Sequence, residues 1–145
     1  MAQVSRSALL MYSAEEMYEL VNDINAYPDF LPGCVDANIL TTNENAMRAS
    51  VKVSKAGVSQ TFTTENILVN SQSILMNLVD GPFKHLSGGW TFTKLDEQAC
   101  KVNLDLKFEF NSALAELAFG RIFHDLVGSM VTSFSSRAKV VYGIR

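Results

Sequence analysis

The sequence predicts an α+β fold: a curved antiparallel sheet of about seven strands wrapped on one long C-terminal helix, with one or two short helices after the first strand. Three observations carry this. From Ala113 to Tyr142 the chain has no proline and an apolar face broad enough to need a large concave partner. At about 100° per residue, Phe119, Ile122, Phe123, Leu126, Val127, Met130, Val131, Phe134, Val140 and Val141 fall within about half the circumference, opposite His124, Asp125, Ser129, Thr132, Ser135, Ser136 and Lys139. Between Val35 and Phe110 the apolar period changes to two, in runs separated by short polar turns. The order of elements, strand first and long helix last, then leaves that helix as the one segment able to fill the concave side of a twisted sheet.

The individual elements follow in chain order. Val4 to Met11 is the first strand, with Arg6 and Ser7 interrupting its alternation. Ser13 followed by Glu16 makes a capping box, and Met17, Leu20 and Val21 give the helix that follows one apolar stripe. Pro28 and Pro32 limit Ile24 to Cys34 to another turn or two, anchored to the core by Tyr27 and Phe30. The sheet then runs from Val35 to Thr42, through Met47, Ala49, Val51 and Val53, from Gln60 to Val69 and from Ser73 to Val79. After Asp80-Gly81-Pro82 a loop holding Lys84 and His85 is expected, and Gly88-Gly89 leads into Trp90 to Leu95. The last strand is a strict alternation, with Val102, Leu104, Leu106, Phe108 and Phe110 on one side and Lys101, Asn103, Asp105, Lys107 and Glu109 on the other. Short connections fit a meander. Ser112 is the N-cap of the long helix, which at about 1.5 Å per residue spans roughly 45 Å.

Composition narrows the function classes. A chain of 145 residues, 48% apolar and 19% charged, is expected to form a single domain over 1–145. No segment approaches the roughly 18 apolar residues of a membrane span. Met1 to Arg6 shows neither an apolar export region nor a small-residue cleavage site, so a cytoplasmic location is expected. In that compartment Cys34 and Cys100 are expected to be reduced thiols. A net charge of -3 gives no global attraction for nucleic acid or anionic lipid. No DNA partner and at most peripheral membrane contact are expected.

Catalytic patterns are scarce. His85 and His124 have neither metal-ligand spacing nor triad logic, and Gly88-Gly89 precedes a strand instead of opening a phosphate-binding helix. The large side chains that should face one another are Trp90, Phe92, Phe108 and Phe110 from the sheet and Phe119, Phe123 and Met130 from the helix. They either fill the core or line an elongated apolar space suited to a hydrophobic ligand. Arg137 projects into the apolar half of the helix, where it snorkels, pairs with a carboxylate, or holds a polar ligand group at a cavity mouth. Lys52, Lys55, Lys84, Arg121 and Lys139 form a modest binding patch if they converge, and ordinary solvated charge if they do not.

Longer strings carry a resemblance. Tyr12-Ser13-Ala14-Glu15-Glu16-Met17-Tyr18, Val21-Asn22-Asp23 and Tyr27-Pro28-Asp29-Phe30-Leu31-Pro32-Gly33-Cys34 resemble the coenzyme-Q-binding branch of the START-like superfamily. Val53-Ser54-Lys55-Ala56-Gly57, Phe62-Thr63-Thr64, the run from Ser73 to Lys84, Gly88-Gly89-Trp90 and Leu117-Ala118-Phe119-Gly120-Arg121 resemble that superfamily's bacterial ribosome-association toxins. The resemblance implies a helix-grip, Bet v 1-like fold and a non-enzymatic binding protein. It implies two activities: an isoprenoid quinone such as ubiquinone held between sheet and helix in support of respiration, and binding to the large ribosomal subunit that blocks initiation of translation. On the facing pattern the groove is lined by Leu78, Trp90, Phe92, Phe108, Phe110, Phe119, Phe123, Leu126 and Met130. Lys55, Lys84 and Arg121, all within matching strings, are the expected partner-binding residues. Bound ubiquinone would be a ligand, and no metal or redox cofactor is implied. Related folds also host cyclases and hydrolases, so an enzyme stands as a third reading.

Overall fold

The alternation read in the last strand is the frame of the molecule. In a computed structural model, which describes residues 2–145, β7 (Ala99–Phe110) buries Cys100, Val102, Leu104, Leu106 and Phe108 on the concave side. Its neighbours are β1 (Ala2–Leu10) and β6 (Phe83–Asp96). Beyond β6 come β5 (Ser73–Asp80), β4 (Val58–Val69), β3 (Ala46–Lys55) and β2 (Cys34–Thr42). All neighbours are antiparallel, so β2 to β7 form the expected meander and β1 closes onto the far edge of β7. Between β1 and β2 lie helix α1 (Ala14–Asn22) and a 3₁₀ turn at Ile24–Asp29.

Helix α1 starts where its capping box puts it: the Ser13 side chain accepts from the Glu16 backbone N–H, and the Glu16 carboxylate accepts from the Ser13 N–H. Pro28 falls inside the 3₁₀ turn, whose hydrogen-bonding demand is light enough to accommodate it. The long helix α2 (Ala113–Tyr142) has the predicted bounds and Ser112 as its N-cap. It lies across the concave face and packs chiefly on β1 and β7.

Three local expectations change. The first strand starts and ends earlier than Val4–Met11, because Ala2 to Leu10 pair with Phe108 back to Cys100 without a break. The expected loop at Lys84 and His85 is strand: β6 runs from Phe83 through Gly88-Gly89 to Asp96, with a register shift between Phe83 and His85 that absorbs the irregular alternation. A side chain at Gly89 would reach within 2.0 Å of the Ile74 carbonyl oxygen, and φ there is +157°, so the paired glycines let β5 and β7 approach β6 closely. Finally, the buried stripe of α2 is narrower than half a circumference. Phe119, Phe123, Leu126, Val127, Val131, Phe134 and Ala138 are buried, whereas Val140 and Val141 are exposed.

The last residues fold back on α1. The Tyr142 hydroxyl donates to the Glu16 carbonyl oxygen, Tyr12 donates to the Gly143 carbonyl oxygen, and the Arg145 guanidinium grips the Glu16 carboxylate through two nitrogens at 2.6 and 2.8 Å. No helix among the described residues is long and apolar enough to cross a membrane.

Candidate ligand cavity

Two aromatic groups divide the core. At one end Phe83, Phe108, Phe110, Phe119 and Phe62 gather round Phe123, with Phe83 and Phe108 each 4.8 Å from it between ring centroids. At the other, Trp90 and Tyr27 each meet Phe134 at 5.3 Å, and Phe30 completes the group at 5.1 Å. Between Phe123 and Phe134 the helix offers the smaller or more flexible Leu126, Val127 and Met130, and the sheet opposite offers Ala49, Val51, Thr64, Asn66, Ile74 and Met76. These side chains do not fill the gap. Because α2 leans on β1 and β7, the concave surface of β3 to β5 is left partly uncovered, and a cavity of about 60 Å³ remains there.

Val21, Asn22, Ile24, Tyr27 and Leu31 close the remaining wall. The buried Tyr27 hydroxyl donates to the Val21 carbonyl oxygen, pinning the 3₁₀ turn to the end of α1, and burial pushes its pKa up. By the measure in which one water needs about 10–15 Å³, the space takes a few waters or the bulk of one substituted ring. It does not enclose a long isoprenoid chain as well.

The sequence-predicted groove residues separate into two sets. Trp90, Phe123, Leu126 and Met130 line the cavity. Phe108, Phe110 and Phe119 belong to the aromatic plug around Phe123, Phe92 packs edge-on against Tyr18, and Leu78 is half-buried on β5 outside the cavity lining. Among the lining residues that pattern reading missed are the polar ones, Asn22 on α1 and Thr64 and Asn66, buried side chains on the concave side of β4. The signal was present: the period of two that turns Phe62 and Leu68 inward turns Thr64 and Asn66 inward as well.

Lys55, Lys84 and Arg121 are all exposed. The antiparallel order puts the end of β3, the start of β6 and the first half of α2 at one end of the sheet, so the three share that end. They do not converge on a single depression. Lys55 borders one with Ile122, Asp125 and Ser129, and Arg121 borders another with Glu109, Glu116 and His124. Lys84 sits three strands from Lys55, roughly 15 Å at the ordinary strand spacing. Arg137 does not line the cavity; its guanidinium lies 5.1 Å over the Phe30 ring. His85 shares a hydrogen bond of 2.9 Å with Ser87 on the sheet. Cys34 and Cys100 are free, and burial holds each thiol up at about 11, far from a reactive thiolate. Among the described residues no group of three or more His, Cys, Asp or Glu side chains is arranged to hold a metal ion.

A seven-stranded sheet gripping one long helix over an apolar cavity defines a START-like protein, and comparison with known proteins agrees. The family model described as "Polyketide cyclase / dehydrase and lipid transport" matches residues 10–135. Proteins named ribosome association toxin RatA are 61% identical over 143 residues in Vibrio cholerae, covering 99% of both chains. The protein of that name in Escherichia coli K12 is 58% identical over 145 residues, covering 100% of this chain and 92% of its own. The chain therefore belongs to the polyketide cyclase and lipid transport family, in the branch formed by the RatA proteins. A mitochondrial coenzyme Q-binding protein COQ10 homolog B of Xenopus laevis is 28% identical over 145 residues, covering 97% of this chain and 59% of that protein. Among solved structures, a START superfamily protein from Mycobacterium smegmatis has a TM-score of 0.79 at 19% identity, covering 96% of this chain and 98% of its own. The Zhui aromatase/cyclase from a Streptomyces species has a TM-score of 0.70 at 22%, covering 98% and 88%. At these identities the two structures speak for the fold alone.

Proposed function

We propose that this chain is a non-enzymatic, cytoplasmic toxin that binds the large ribosomal subunit and blocks initiation of translation, and that its cavity holds a hydrophobic ring-bearing ligand such as the head of a quinone. The observation that carries the ribosomal part is the match, at 58% and 61% identity and over essentially the whole chain, to proteins named ribosome association toxin. Identity at well over half the positions, along the whole chain, supports a shared docking surface. The ligand part rests on the apolar cavity and on the lipid-transport family to which the chain belongs. With a net charge of -3 the chain needs local basic contacts for ribosomal RNA, and the candidates are Lys55, Lys84 and Arg121, exposed at one end of the sheet and each making a separate contact instead of one patch.

The test is charge reversal. Lys55→Glu combined with Lys84→Glu should abolish growth inhibition on overexpression while the far-UV spectrum and melting temperature stay as in the parent. Full inhibition by that folded variant would move the ribosomal contact elsewhere. A second reading, a quinone carrier supporting respiration without a ribosomal role, is favoured by the likeness to the coenzyme Q-binding homolog. It requires respiratory loss on deletion and no effect on ribosomes.

A further inference from the structure

The cavity is not uniformly apolar. Asn22, Thr64 and Asn66 open onto it from α1 and β4. The Thr64 hydroxyl donates to Asn66 Oδ1 at 2.8 Å. That bond engages Oδ1 and leaves the Asn66 amide nitrogen free to donate, with no hydrogen bond from it seen among the described residues. Across the same cavity Asn22 Oδ1 is buried without any hydrogen-bond partner. An unmet acceptor in an apolar setting is costly, and two amides with spare capacity in one small cavity are an expensive way to build a core. A hydrocarbon ligand would leave both groups unmet.

We infer that Thr64, Asn66 and Asn22 determine which ligand the cavity takes: a single planar ring bearing a hydroxyl that donates to Asn22 Oδ1 and an oxygen that accepts from the Asn66 amide, in preference to an oxygen-free ring or an alkyl chain. This rests on the ligand-binding reading of the cavity. Thr64 is a positioning residue, since it acts by holding the Asn66 amide in its donating orientation. The free volume of about 60 Å³ agrees with a ring and excludes a long chain lying wholly inside. A ligand with a tail would pass it out beside the half-buried Met76 and Met130, whose flexible side chains accommodate such a path.

The experiment compares durohydroquinone, kept reduced under argon, with durene, which has the same ring and methyl groups without the two hydroxyls. The indole N–H resonance of Trp90 reports on both, since Trp90 is the single tryptophan and lines the cavity. Asn22→Leu and the double variant Thr64→Val with Asn66→Leu are compared with the parent protein. The parent should bind durohydroquinone about tenfold or more tighter than durene, and each variant should shift that ratio toward durene by about tenfold. Asn22→Leu should also melt at or above the parent, since it removes an unmet acceptor. A structural role for Asn22 would instead lower its melting temperature. If the double variant does not fold, Asn22→Leu alone decides. An unchanged ratio in the folded variants would overturn the inference while leaving a cavity that selects on shape. If neither probe moves the Trp90 resonance, the ligand reading fails together with the inference.

Discussion

Glu16 does two jobs at one carboxylate. It completes the capping box of α1 and receives both nitrogens of Arg145, tying the C-terminal residues to the start of the helix. The Arg145 hydrogen bonds, partly opposed by burial and aided by the Ser13 N–H, hold the Glu16 carboxyl below its ordinary value of 4.5. A carboxylate lowered in the folded state adds stability that is complete above the ordinary value and fades as pH falls through the lowered one. Glu16→Gln should therefore melt below the parent at neutral pH, and the gap should narrow as pH falls below about 4.5. Thermal melts of both proteins across that range check it, and a gap independent of pH would mean that the carboxylate charge contributes nothing. The capping box was legible because its spacing is local. The Arg145 pairing was not, because nothing in the sequence couples two residues at opposite ends of the chain.

Among the elements, the bounds of α2 and the inward side of β7 from Val102 onward could be read to the residue, although the buried stripe of α2 is narrower than expected. A period of two or 3.6 sustained over many positions leaves little freedom in assigning which side faces the core. Strand β6 was harder, because its glycines and the shift beside Lys84 break the alternation and imitate a loop. The cavity was only half legible. Trp90, Phe123, Leu126 and Met130 were found from facing aromatic and flexible side chains, but whether such residues fill a core or line a space depends on what stands opposite, and that is set by how α2 leans on β1 and β7. Leu126 stands between the two aromatic groups. Leu126→Trp should fill much of the space and reduce ring binding at least tenfold, measured by the Trp90 resonance. Undiminished binding by the folded variant would put the ligand in another part of the molecule.

At the scale of the whole molecule, the fold separates two surfaces that the proposed activities need. The cavity lies beneath the helix against β3 to β5, and the basic residues lie outside at one end of the sheet, bordering separate depressions. Ligand and ribosome therefore need not compete for one site. Long matching strings made the family legible before the fold was known, whereas the spread of Lys55, Lys84 and Arg121 across several elements gave no sequence signal of where they would sit. The most direct measurement is sedimentation of the purified protein with ribosomes through a low-salt gradient, with subunit and 70S peaks recorded. Co-migration with large subunits and a reduced 70S peak, both lost in the charge-reversed variant, is the predicted result. A protein that stays at the top of the gradient with the 70S peak unchanged would contradict the ribosomal account.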